Sequence, residues 1–466
     1  MSQPSFIFIV SDSLRADSLS FSGHPEAETP NLDKVANRSS VFLNHYAQAP
    51  VCGPSRNSFW TGRYPHSNGS LNNLAGLGAH ERTFVEMLSE NGYDCTSFGA
   101  NHLQPEPSGF SKIVASRGKH PESSYKRYLD DQDLRQDPET IEDGDWPASP
   151  PHGTIAGDMK YQQDSYATKR AVDYIKNKSA SPFFLYLGLK NPHPPYACDQ
   201  KHYDIYKDKQ LAVNDFKDPE KHLHPKLLER YNAANYKSLT RKDIQNIKSL
   251  YLGMISFVDE QVGRIMQVLE ETGLDDNTHL VFTSDHADFC GDLNLFGKTD
   301  LPIKHLTHVP LLWKAPQGTA NTIQDFTENI DLAPAFLELA GIEAPYYIEG
   351  RNLFNSTRNW AFSESADGHF NDRTQRYDKG AYYASYIDAE WHYIHATLPG
   401  HCALYHVSDD PLCHYNVIDE NRSLATEIQT KLFNHIMSGT VPIQDNSVSS
   451  WKEYHEGAGI ALEVWE

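Results

Sequence analysis

The run His279-Leu280-Val281-Phe282-Thr283 ends in Ser284-Asp285-His286, so an apolar stretch stops at two residues that can bind metal or move protons. Near-continuous apolar runs of this length are what strands look like when a parallel sheet buries both their faces. Two other runs share the pattern. Phe6-Ile7-Phe8-Ile9-Val10 ends at Ser11-Asp12-Ser13, and Phe183-Phe184-Leu185-Tyr186-Leu187 leads to Asn191-Pro192-His193-Pro194. In open α/β sheets, ligands gather at the carboxyl ends of the strands. The pattern therefore predicts one site built from Asp12, His193, Asp285 and His286.

Helical patterns lie between the runs. Thr29 as N-cap and Pro30 at the first helical position open one that continues to Ala36. Others are predicted over 84–88, stopped near Asn91-Gly92, and over 167–176, 247–272 and 331–340. The fourth puts Leu250, Ile255, Val258, Val262, Ile265, Met266 and Leu269 on one side. Such alternation defines an α/β class, with a large, mainly parallel sheet sandwiched by helices. After Gly350-Arg351-Asn352-Leu353 the character changes. Aromatic segments over 380–384 and 391–394 suit a smaller antiparallel sheet, and 424–437 reads as a helix packed on it. We expect a catalytic domain over 1–355 and a C-terminal subdomain over 356–466. Residues 104–162 form a polar excursion whose Tyr125, Tyr128 and Trp146 are read as lining a pocket for sugar rings.

The chain's 466 residues exceed one compact core. Its formal charge of −21, from 41 basic and 62 acidic residues, repels nucleic acid and anionic membranes. Any anion site must then be built locally from Arg, Lys, His, a metal and helix N-termini. No apolar run reaches the length of a membrane span. Met1-Ser2-Gln3-Pro4-Ser5 carries neither a basic region nor a cleavage site, which leads us to expect a cytoplasmic protein, or an exported one whose leader was removed. None of the six cysteines forms a C-x-x-C pair. They do not make a disulfide scaffold in so long a chain, and reduced thiols are expected, Cys402–Cys413 being the one bridge considered.

A further stretch reads Ala49-Pro50-Val51-Cys52-Gly53-Pro54-Ser55-Arg56-Asn57-Ser58-Phe59-Trp60-Thr61-Gly62. Taken alone, Cys52 is a small buried thiol before a helix. Pro54 at the first helical position would start that helix and turn its N–H groups toward the site. Taken whole, Cys-x-Pro-Ser-Arg-x-x-x-x-Thr-Gly resembles the maturation signature of the type I, formylglycine-dependent sulfatases of the alkaline-phosphatase-like superfamily. With Asp12, His193, Asp285-His286 and Gly297-Lys298, the resemblance covers most of the chain.

The resemblance implies that a maturation enzyme oxidises Cys52 to formylglycine, whose hydrate is the nucleophile. It implies one divalent metal on Asp12, Cys52, Asp285 and His286, with Ca2+ first and Mn2+ or Mg2+ as alternatives. It places Arg56 beside the hydrate, Lys298 on the sulfate and His193 at the leaving group. His102 takes up a proton from the hydrate, and Asn73 and Asn101 contact the substrate. Two positions depart from the family. Ser13 stands where many sulfatases have a second Asp. Ala100, in Gly99-Ala100-Asn101-His102, stands where Gly-Lys-x-His is common, a Lys that phosphonate monoester hydrolases also lack. The implied activity is hydrolysis of a sulfate ester, a sulfated carbohydrate first. A phosphonate monoester or phosphodiester hydrolase and a non-catalytic sulfated-glycan binder remain open.

Overall fold

The computed structural model of the chain describes residues 3–78, 80–101, 108–114, 124–132, 141–143, 150–178, 182–214, 216–355, 357–368, 370–371, 376–377 and 380–439. The three apolar runs are strands Ser5–Ser11 (β1), Phe183–Leu189 (β5) and Thr278–Ser284 (β6), with every residue buried. β1 lies between the other two, parallel to both, and Ser11 is level with Leu189 and Ser284. This register makes the three strand ends flush, so the polar residues that follow them emerge at one edge.

Five more strands complete the sheet: Ser40–Tyr46 (β2), Asp94–Gly99 (β3), Lys112–Val114 (β4), Leu311–Lys314 (β7) and Asn321–Glu328 (β8). The order is β8-β2-β7-β6-β1-β5-β3-β4. β7 runs antiparallel to β2 and β6, and the other pairs are parallel.

Alternate residues of β1 face two different cores. Ile7 and Ile9 pack under helices Pro30–Ala36 (α1), Gln163–Lys176 (α4) and Arg241–Thr272 (α5). Phe6, Phe8 and Val10 pack under Cys52–Thr61 (α2), Phe84–Glu90 (α3) and Leu332–Leu339 (α6). Each such side chain, fully buried, contributes about 1.5–3 kcal/mol. The two cores fix the sheet from both sides, which is the sandwich the sequence predicts.

Some boundaries differ for local reasons. The Thr29 hydroxyl does not cap α1, because it is taken up by Ser20, whose N–H lies 3.1 Å away. The Asp259 carboxylate of α5 caps α1 instead, accepting from Asn31 N at 3.1 Å and Leu32 N at 2.7 Å. α5 itself starts six residues before the predicted 247, at a capping box of Thr240 and Asp243. Its first turn is mostly exposed and carries no apolar period to read.

Beyond residue 355, strands Ala361–Ala366 (β9), Tyr382–Ile387 (β10), Trp391–Ala396 (β11) and Ala403–His406 (β12) form an antiparallel sheet in that order. Helix Arg422–Gly439 (α7) packs on it through Ala425, Ile428 and Leu432. In the 104–162 segment, Tyr125 and Tyr128 pack on α4, and Tyr125 is buried there rather than open to a sugar. Their rings lie 5.6 and 4.7 Å from that of Tyr166 on α4, and Tyr125 belongs to the core. Trp146 falls outside the described residues. No described helix is long and apolar enough to cross a membrane, and all six cysteines are free.

Candidate active site

The site forms where β1 and β6 end. Asp12 N extends the β1 ladder by one bond, to Leu189 O at 3.0 Å. Ser13 then takes a left-handed φ of 69°, which turns the chain back over the strand end. Its N–H donates to Asp285 Oδ1 at 3.2 Å and its hydroxyl to Asp12 Oδ1 at 3.0 Å. Ser13 thus orients both carboxylates. Asp285 Oδ1 also accepts from His286 N at 2.9 Å.

His286 Nδ1 faces the Ala287 carbonyl at 2.8 Å. A carbonyl only accepts, so Nδ1 carries the proton and Nε2 presents its lone pair. Nε2 lies 3.2 Å from Cys52 Sγ, 3.7 Å from Asp12 Oδ1 and 3.8 Å from Asp285 Oδ1. Lys298 Nζ lies 2.7 Å from Cys52 Sγ and 2.9 Å from His286 Nε2. Burial opposes the charge on Lys298, but Cys52, Asp12 and Asp285 outweigh it and hold the ammonium pKa above its ordinary value. Burial likewise opposes charge on His286, and Asp285 raises its pKa in spite of it.

Cys52 is the first residue of α2, with Val51 as the extended N-cap residue. Pro54 is therefore third in the helix rather than first as predicted. The correction places residue 52 itself at the positive helix end. Asn73 Oδ1 accepts from Gly53 N at 2.8 Å. The Asn73 carbonyl thus holds the helix start, one residue from Cys52, a role the sequence reading did not give it.

Arg56 lies one turn into α2 and is wholly buried. Nε donates to Asp285 Oδ2 at 2.8 Å and Nη2 to Asp12 Oδ2 at 3.2 Å. Nη1 donates to Ala100 O at 2.9 Å and to Tyr186 Oη at 2.6 Å. Burial alone would lower its pKa, but Asp285, then Tyr186 and Asp12, raise it further. Most of its five N–H groups are therefore committed inside the protein. The Ala100 carbonyl reaches it because two glycines meet there. A Cβ on Gly188 would stand 1.9 Å from Ala100 O, and one on Gly99, at φ 86°, 2.0 Å from Gly188 O.

Of the predicted residues, Asp12, Cys52, Asp285 and His286 converge. All are buried, and their ligand atoms lie within 4.8 Å of one another. Two carboxylates and a histidine lone pair make a donor set that fits a divalent cation. Arg56 and Lys298 flank this cluster.

His193 stands outside it, on the loop after β5. Asp164 of α4 pins that loop by accepting from Lys190 N at 2.8 Å and Asn191 N at 3.0 Å. Ser11 Oγ donates to Asn191 O at 2.6 Å, which ties the loop to the end of β1. His193 Nδ1 faces Pro194 O at 2.6 Å, so Nε2 is the nitrogen left for other partners. Asn101 directly follows Ala100. His102 lies outside the described residues.

Sequence reasoning missed Tyr186, Asp164 and Asp288. Tyr186 was legible as the one hydroxyl in the run from Phe183 to Leu187. Asp288 accepts from Tyr196 Oη at 2.8 Å and Gly297 N at 3.1 Å, and so steadies the residue before Lys298. Nothing in the local pattern distinguishes Asp164 or Asp288 from surface acids.

The fold is the alkaline-phosphatase-like one. A solved phosphonate monoester hydrolase of Agrobacterium radiobacter superposes with a TM-score of 0.81 at 22% identity, covering 96% of this chain and 97% of that one. The sulfatase family model matches residues 4–342, and that of the N-sulphoglucosamine sulphohydrolase C-terminal region matches 292–440. The chain belongs to the sulfatase family, whose members are sulfuric ester hydrolases that generally use a divalent metal and formylglycine. It is 28% identical over 402 residues to the multifunctional alkaline phosphatase superfamily protein PehA of Trinickia caryophylli, covering 76% of this chain and 77% of that protein. It is 26% identical over 412 residues to an N-acetylglucosamine-6-O-sulfatase of Bacteroides thetaiotaomicron, covering 75% and 70%.

Proposed function

We propose that this sulfatase hydrolyses a sulfate ester of a carbohydrate, with Cys52 matured to formylglycine and Ca2+ held by Asp12, Asp285, His286 and residue 52. The observation that carries the reading is Cys52 at the first position of α2, inside the carboxylate–histidine cluster and 2.7 Å from Lys298 Nζ. Its Sγ stands in for the side-chain oxygen of the matured residue. As the aldehyde hydrate, that residue would supply the attacking oxygen and a second hydroxyl through which sulfate is expelled. The bound cation would supply positive charge at the sulfuryl oxygens.

The remaining work falls to the chain's own side chains. Arg56 holds Asp12 and Asp285 in place and offsets their charge, so its role is to position. Lys298, protonated and facing residue 52, contacts a sulfuryl oxygen and stabilises the charge gathering there. As the imidazolium, with Nδ1–H held on Pro194 O, His193 gives its Nε2 proton to the alcohol oxygen as the S–O bond breaks.

Charge supports a singly charged ester. Arg56 is committed to buried acceptors and Ala100 brings no cation, so among the described side chains Lys298 is the ammonium that meets residue 52. A doubly charged phosphate monoester would need more. A phosphonate monoester also carries one charge, and the alanine at position 100 favours it as a second reading. Comparing kcat/KM for N-acetylglucosamine 6-sulfate, 4-nitrophenyl sulfate and a phenyl phosphonate monoester decides between them. The sugar sulfate is expected to lead. A phosphonate turned over better than every sulfate would overturn the proposal.

A further inference from the structure

The segments beside residue 52 and Lys298 are joined by a circuit of contacts that the mechanism does not use. On one side, Gly53 N binds Asn73 Oδ1 at 2.8 Å, and the adjacent Asn72 Nδ2 donates to Gly368 O at 3.0 Å. On the other, Phe296 O, two residues before Lys298, accepts from Arg230 Nε at 3.0 Å and Nη2 at 2.6 Å. Two residues after Lys298, the Asp300 carbonyl accepts from Ser365 Oγ. Arg230 belongs to the helix Pro225–Ala233, four residues after Lys226. Residues four apart share a helix face. Lys226 Nζ then closes the circuit on Asp367 Oδ2.

Asp367 thus lies between Ser365 and Gly368, which are tied to the segments beside Lys298 and residue 52 respectively. Its backbone is fixed by a bond from its N–H to Ala381 O at 2.7 Å. The two side chains are neither sealed nor free, at 33% exposed for Asp367 and 15% for Lys226. A half-shielded carboxylate and ammonium, tied by this circuit to the segments that flank residue 52 and Lys298, are groups that a ligand can share. The carboxylate accepts from hydroxyl groups and the ammonium donates to them. An unsubstituted aryl ring offers neither bond.

We propose that Lys226 and Asp367 form the leaving-group subsite and bind the hydroxyl groups of a sugar whose sulfate lies at residue 52. The inference rests on the sugar-sulfate reading above. A site built to hydrogen-bond hydroxyl groups discriminates strongly against ligands that lack them, because its polar groups are then left unpaired.

The test measures kcat/KM on N-acetylglucosamine 6-sulfate and on 4-nitrophenyl sulfate for matured wild type, Asp367→Ala and Lys226→Met. Loss of a hydrogen bond to a charged group is expected to cost about 10- to 100-fold on the sugar sulfate, with the aryl sulfate changed by less than about threefold. Retained aryl turnover shows that the variants are folded and matured. If one variant fails to fold, the other carries the comparison. A wild type that hydrolyses the sugar sulfate, paired with variants whose sugar-to-aryl ratio is unchanged, overturns the subsite. A wild type active on aryl sulfate but on no sugar sulfate overturns the substrate reading, and the subsite with it.

Discussion

Arg56 and Asp285 show at the level of single residues why the site is hard to take apart. Both side chains are fully buried, and Asp285 is the leading charge partner of Arg56. Removing one member of such a pair strands the other, which typically costs 3–5 kcal/mol (an order of magnitude). Asp285→Asn keeps the volume and tests the charge with less damage. It is expected to lower metal content, read by elemental analysis, and to reduce kcat by on the order of 100-fold or more. Full metal occupancy with normal turnover would show that the cluster is misassigned. His193→Ala bears on the leaving group. General acid catalysis supplies roughly 100- to 10,000-fold, so a sugar sulfate should lose activity on that order. An aryl sulfate, with its good leaving group, should lose far less, and equal losses would remove His193 from the role. At this scale Asp12, Asp285 and His286 were legible as candidate ligands because they follow apolar strands, and Cys52 because of the motif around it. The Arg56 partner Ala100 was not, since a carbonyl contact between sheet and helix leaves no mark in sequence.

Elements of this fold are joined by side chains far apart in the chain. Asp259 caps α1 from within α5. His202, on the short helix Gln200–Asp204, lies between Asp199 and Glu260 of α5, with its Nε2 3.3 Å from Glu260 Oε1. Burial disfavours its charge, but the two carboxylates prevail and raise its pKa to about 9. A raised histidine pKa means the folded state holds the proton more tightly than the unfolded chain. The stabilisation is fully present below about pH 6.5 and is lost as pH rises toward 9. Melting temperature should therefore fall across that window, and His202→Gln should flatten the fall. An unchanged slope in the variant would assign the effect elsewhere. Strand and helix types were readable from period and length, whereas the start of α5 was not. Its first turn is set by a Thr240–Asp243 box that any solvated loop could contain.

For the whole molecule, the C-terminal sheet is fastened to the catalytic one through buried charge. Arg358 Nη1 lies 2.8 Å from both Glu328 Oε2 and Asp331 Oδ2, at the junction of β8 and α6. Phe362 N donates to Glu328 Oε1 at 2.7 Å and Glu364 N to Gln48 O at 2.8 Å, so β9 hangs on the same junction. Arg358→Ala leaves two buried carboxylates without their cation. A loss of about 3–5 kcal/mol is expected in denaturant unfolding. A loss below about 1 kcal/mol would show that the hydrogen bonds of β9 hold the sheets together unaided. The two-sheet layout was visible in sequence as a change from long apolar runs to short aromatic ones. The joint was not, because Glu328, Asp331 and Arg358 read as ordinary surface charges until the fold buries them.

The flush ends of β1, β5 and β6 have a consequence for how such a protein changes over generations. The clustered residues ride on backbone register at the centre of the sheet, and the groups proposed to meet the sugar lie on segments some 70 to 140 positions apart in the chain, around Asp300, Lys226 and Asp367. Lineages can therefore exchange one wall by local insertion or substitution and acquire a new diet, while the inherited chemistry at the strand ends goes untouched.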